Sequence, residues 1–191
     1  MKTKTPSLHK ELLQRVNSGE GKSAIFRDYA GTELENRVAK SLALIATPEN
    51  RKKAAPLTFV LLFFFGILTI IKFYAISILF PTLPIAGALI AVFLAGLVNL
   101  GIIYCVLTHN FIGYVLLVCF GFNGLAKMPE NFRVSLQPEM PLYVLVLDCA
   151  SLICCIVSMI LAFILYRKLF PCASFFFAPK RDACGNPIFE N

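Results

Sequence analysis

The chain has 191 residues, enough for one or two domains. Apolar residues make up 58% and charged residues 15%, against about 25% charged in a soluble domain, and a mean hydropathy of +0.74 excludes an ordinary soluble protein. The formal net charge of +7 does not point to nucleic acid, because the Lys and Arg residues form no long cluster and accompany no binding motif; most lie before Pro56, as a positive-inside bias requires.

Residues 1–56 read as a cytoplasmic, helical N-terminal segment. The first apolar run begins after residue 56, so no secretory signal is expected at this end; neither a myristoylation start nor a prenylation end is expected either. Ser7–Val16 predicts a first short helix, with Leu8, Leu12, Leu13 and Val16 on one side and a stop at Asn17-Ser18-Gly19. Gly19-Glu20-Gly21-Lys22-Ser23 looks like the end of a phosphate-binding loop, but the glycine required five residues before Gly21 is Val16 and no apolar strand precedes it. The segment therefore reads as a flexible linker.

A second helix is predicted from Thr32. Thr32 and Glu35 have the spacing of a capping box, in which each side chain satisfies a free amide near the other. Leu34, Val38, Leu42 and Ile45 share a face widened by Ala39, Ala43 and Ala46. Such a face suits an acidic bilayer surface, or equally a cytoplasmic loop or a partner. Thr47-Pro48 starts a further helix, with Thr47 as cap and Pro48 at the first helical position. It runs through Arg51, Lys52 and Lys53 into the membrane, with Pro56 at the interface.

Four spans are expected in the unit covering 57–165, at about 57–79, 85–107, 111–126 and 142–165. The third is the least regular, short and interrupted by Gly121, Asn123 and Gly124. Residues 127–141, with Pro129, Pro138 and Pro141, read as the longest internal loop. Arg51, Lys52 and Lys53 before the first span and Arg167 and Lys168 after the last put both flanks on the cytoplasmic side, consistent with an even number of crossings. In the tail, 166–191, Phe175, Phe176 and Phe177 are expected at the interface or against the bundle, and Gly185-Asn186-Pro187 marks a turn. The fold class is all-α: a polytopic membrane bundle of four helices in a plasma or inner membrane, with both termini cytoplasmic.

Ionisable residues inside spans are costly and mark candidate sites. Lys72 and Asp148 are the clear ones. Counted from Pro81 and Pro141 at 1.5 Å per residue, both fall about 10–14 Å inside the outer boundary, which suggests a salt bridge between the first and fourth spans. Asn123 lies at similar depth, flanked by glycines that allow close approach, and Asn99 lies deeper. His109 sits in a turn. Gly87, Ala91 and Ala95 in the second span, and Ala150, Cys154, Ser158 and Ala162 in the fourth, form small-residue stripes of the kind that pack helices. Asp148 falls on another side of its helix, with Ser151 and Cys155.

No cofactor or metal is expected. His9 and His109 are the only histidines, and the seven cysteines contain no Cys-x-x-Cys pair. No serine–histidine–aspartate set stands at matching depths, so an enzyme is not expected. The sequence points to a structural or interaction subunit whose partners are the lipid bilayer and a second copy or another membrane protein. The alternative is a small-solute or ion transporter or channel acting as an oligomer.

Overall fold

The structure, a computed structural model, describes residues 8–79, 85–174, 178–183 and 186–189, without the side chains at 76, 78, 79, 88, 91, 94 and 95. The described residues form seven helices: α1 (Leu8–Asn17), α2 (Lys22–Arg27), α3 (Glu35–Ala43), α4 (Pro48–Leu79), α5 (Ile85–Leu107), α6 (Phe111–Ser135) and α7 (Leu142–Leu169). They gather into two compact units. One holds the described residues up to Ala55 together with those from Tyr166 onward, and the other is Pro56–Leu165.

In the first unit, α1, α2 and α3 enclose a small core of Leu12, Val16, Ile25, Val38, Leu42 and Ile45. Each such side chain, fully buried, stabilises by about 1.5–3 kcal/mol. The apolar face predicted on α3 is therefore covered by α1 and α2 rather than by a bilayer surface; only Leu34 at its start stays exposed. The segment expected to be a flexible linker contains α2. Its six residues are too few to show a period, but they carry Ile25 to the middle of the core. Gly19, at φ 90°, makes the turn between α1 and α2 in a conformation that favours glycine.

The capping box at Thr32 does not form. The Thr32 hydroxyl donates back to the Tyr29 carbonyl at 2.6 Å, and Glu35 accepts from the Gly31 amide at 2.8 Å. A three-residue turn precedes α3 and shifts the register, so Leu34 rather than Thr32 precedes the first helical residue. Arg15 ties the end of α1 to the next segments: its Nε donates to Glu20 at 2.7 Å and its Nη2 to Asp28 at 2.5 Å.

The tail joins this same unit. Phe189 packs on the core and meets the Phe26 ring at 5.3 Å, and Arg181 donates to Asn36 at 3.1 Å. Antiparallel bridges between Ala173 and Pro179 and between Arg181 and Pro187 fold the tail back on itself. Phe175, Phe176, Phe177, Cys184 and Gly185 lie outside the described residues.

Thr47 caps α4 as its sequence predicts, accepting from the Asn50 amide at 3.3 Å, and Pro48 opens the helix. This helix then passes through Pro56 without a break. Among the described residues three stretches are long and apolar enough to cross a membrane: Glu35–Ala75, whose apolar part lies in α4, then Phe111–Ser135 and Leu142–Leu169. Large apolar side chains face outward on them, with Phe59 70% exposed, Phe63 65% and Leu142 75%. Water would not tolerate so much outward apolar surface; lipid does. α5 is 23 residues long, and its fully described part, Gly96–Leu107, is a shorter apolar helix. The chain is thus a small multi-span helical membrane protein.

The third apolar segment does not end at Ala126. α6 continues through Pro129 to Ser135, whose hydroxyl oxygen lies 3.1 Å from the Asn131 carbonyl. Lys127, Glu130 and Arg133 are not helix breakers, and the ladder absorbs the one amide that Pro129 lacks, so the loop shrinks to 136–141. The turn between α5 and α6 is tight. His109 takes φ 52°, Asn110 caps α6 by accepting from the Ile112 amide at 3.1 Å, and the buried Tyr114 hydroxyl donates back to the Val106 carbonyl at 3.3 Å.

Candidate functional site: a polar cavity in the bundle

All four helices of the second unit line one cavity of about 480 Å³. α4 contributes Lys72, α5 contributes Asn99, α6 contributes Asn123, Lys127 and Asn131, and α7 contributes Asp148, Ser151 and Ser158. Apolar walls between them include Phe65, Leu68, Ile71 and Phe120. The four polar positions picked out by their cost in lipid, Lys72, Asn99, Asn123 and Asp148, therefore share a single space.

Close packing beside the cavity comes from glycine. The Cys155 thiol donates to the Gly121 carbonyl at 3.4 Å, and a Cβ at Gly121 would sit 3.3 Å from Met159. A Cβ at Gly124 would sit 3.3 Å from the Cys155 sulfur. These glycines let α7 approach α6. On α6 the polar residues 123, 127 and 131 recur every four residues and form a stripe next to the small one.

The charges are not arranged as a simple pair. Asp148 is half-buried and accepts a hydrogen bond from the Ser135 hydroxyl. Lys72 and Asp148 line the same cavity without forming an ion pair of the kind that joins Arg15 to Glu20 and Asp28 and Lys53 to Glu49. Ser158, 2% exposed, has a buried hydroxyl with no hydrogen-bond partner. An unsatisfied buried hydroxyl costs about 1–3 kcal/mol, so this is a place for an added polar atom.

The small-residue stripes divide. On α7, Cys154, Ser158 and Ala162 are buried and Ala150 is half-buried. On α5, Gly87 is exposed with open space around it, while the side chains of Ala91 and Ala95 lie outside the described residues. His109 is held at the α5–α6 turn, 3.2 Å from the Tyr114 hydroxyl, away from the cavity lining. Two cavity residues, Lys127 and Asn131, escape a reading that ends the third span at Ala126, although their spacing from Asn123 signals them. Among the described residues no three of His, Cys, Asp and Glu come together as a metal-binding group.

The chain matches no protein-family profile, no curated protein and no solved structure.

Proposed function

We propose that the chain is a four-crossing membrane protein whose bundle takes up a small polar solute or ion. The observation that carries this reading is the cavity that collects polar side chains from all four helices. Groups so costly in lipid are normally turned toward a water-filled path or a ligand. The four-crossing count draws support from the two chain ends. Phe189 and Arg181 of the tail touch Phe26 and Asn36 of the N-terminal segment, and ends in contact lie on one side of a bilayer. One side for both ends requires an even number of crossings, and the 23 residues of α5 suit the fourth. The basic flanks Arg51, Lys52, Lys53, Arg167 and Lys168 support a cytoplasmic side for both ends.

A second reading, an interaction subunit, is favoured by the folded unit that the two ends build together. One experiment separates the two. In a chain whose other cysteines are replaced by alanine, Ser151→Cys should react with a small water-soluble thiol reagent, because a solute path is wet. A cysteine at 151 that stays unreactive in folded protein would remove the solute reading and leave the interaction subunit. In sealed cells an added cysteine at Gln137 should be reached from outside and one at Ser18 should not; labelling of both from outside would overturn the topology.

A further inference from the structure

Charge balance within the cavity identifies the ligand class, and this step rests on the solute-binding reading. Short connections make successive helices alternate in direction. At 1.5 Å per residue, Lys72 lies about 10 Å inside the end of α4, Lys127 about 12 Å inside the end of α6, and Asp148 about 9 Å inside the start of α7. The three charges therefore lie in the outer part of the bundle and line one cavity. Ser158 and Asn99 lie about 24 Å and 21 Å from the starts of α7 and α5, on a second, neutral polar level about 9–15 Å deeper.

Two ammonium groups and one carboxylate give the cavity lining a formal excess of one positive charge. A net charge in a low-dielectric site is costly, and an anion that neutralises it is bound in proportion to that cost. We propose that the cavity binds a monoanion with an apolar body: an organic acid whose carboxylate sits between Lys72 and Lys127, whose body lies against Leu68, Ile71 and Phe120, and whose far end reaches toward the unpartnered Ser158 hydroxyl. A dianion would overcompensate, and a neutral analogue would leave the lysines as they are. The volume of about 480 Å³ exceeds what a lone chloride fills and suits a ligand with a body. The same chemistry could come from solution or from the acidic headgroup of a bilayer lipid.

The test uses the full chain carrying Ser151→Cys, with its other cysteines replaced by alanine, in nanodiscs of phosphatidylcholine, which has no net charge, and reads the rate of thiol labelling. Benzoate should slow labelling at least about tenfold at saturation, while benzamide, chloride and terephthalate should protect far less. Lys72→Gln and Lys127→Gln should each weaken benzoate about tenfold or more, because a hydrogen bond to a charged group is worth at least that factor; Lys72→Arg, which keeps the charge, should bind it better than Lys72→Gln. Asp148→Asn adds one positive charge and should turn the preference from benzoate to terephthalate. Protection by phosphatidylglycerol placed in the disc, without added benzoate, would support the monoanion and assign its source to the bilayer. A cysteine that labels freely and equally with benzoate, benzamide or phosphatidylglycerol overturns the monoanion and leaves solute binding standing. A preference of Asp148→Asn for benzoate as strong as that of the unaltered chain would also overturn the charge balance. A cysteine that never labels instead defeats the solute-binding reading beneath it.

Discussion

Among the described glycines, Gly113 has the least room for a side chain, and it sets a prediction with a built-in control. A Cβ at this position would lie 2.7 Å from the Cys105 Cβ, 3.0 Å from the Val106 nitrogen and 3.1 Å from the Cys105 carbonyl carbon. Two of these three are backbone atoms of the preceding helix, so no side-chain rotation relieves the clash. Gly113→Ala must move the end of α5 away from α6, at the overpacking cost of about 1–3 kcal/mol. Against that stands a gain of up to about 1 kcal/mol from replacing glycine by alanine within a helix. The net is a loss of up to about 2 kcal/mol when the full helix gain applies. Gly66→Ala supplies the comparison, because a Cβ there meets nothing within 4 Å and only the helix gain applies. Thermal unfolding of the two variants in one detergent should therefore move in opposite directions, down for Gly113→Ala and level or up for Gly66→Ala. Equal midpoints for the two would refute the close α5–α6 approach.

In the first unit, Leu42 is fully buried at the centre of a six-residue core, so Leu42→Ala should cost about 2–5 kcal/mol locally. Limited proteolysis of the full chain should then cut α1 to α3 faster while leaving the spans intact; an unchanged cleavage rate would place Leu42 outside a real core. Acidification should loosen the same unit. The Arg15 guanidinium, hydrogen-bonded to Glu20, holds the Glu20 carboxyl below its usual range, and its own pKa is pushed up by Glu20 first and Asp28 second. A depressed carboxylate contributes stability above its ordinary value of about 4.3, which is lost as pH falls through the lower folded value. Proteolysis of the Glu20 region should rise below about pH 4, and Arg15→Gln should flatten that dependence; an equally steep acid response in Arg15→Gln would remove the pair as its cause.

The helices with a period or a strong end signal were legible in the sequence. Leu8, Leu12 and Val16 mark α1, Val38, Leu42 and Ile45 mark one side of α3, and Thr47-Pro48 marks the start of α4. What escaped had no local signal. α2 is a single turn and a half around Ile25, flanked by Gly19 and Gly21, and its helicity comes from the core it completes rather than from propensity. The partner of the α3 face could not be named, because a sequence shows an apolar stripe without showing which neighbour covers it. The end of α6 was missed because Pro129 reads as a breaker, whereas helix on both sides of it carries the ladder through.

The candidate site follows the same division. Lys72, Asp148, Asn123 and Asn99 stood out because lipid makes such residues expensive one at a time. That they share one cavity is a property of helix packing, and it depends on Gly121 and Gly124. Both glycines sit on α6 next to the polar stripe of Asn123, Lys127 and Asn131, and an added Cβ at either would sit 3.3 Å from a side chain of α7, tighter than ordinary contact. A Cβ at either would press on Met159 or the Cys155 sulfur of α7, the helix that carries Asp148, Ser151 and Ser158. Small residues and charged residues, which look like two separate features when read along the chain, are therefore one arrangement. The glycines set the separation of the helices, and that separation decides whether two lysines and one aspartate share a field or stand alone in lipid.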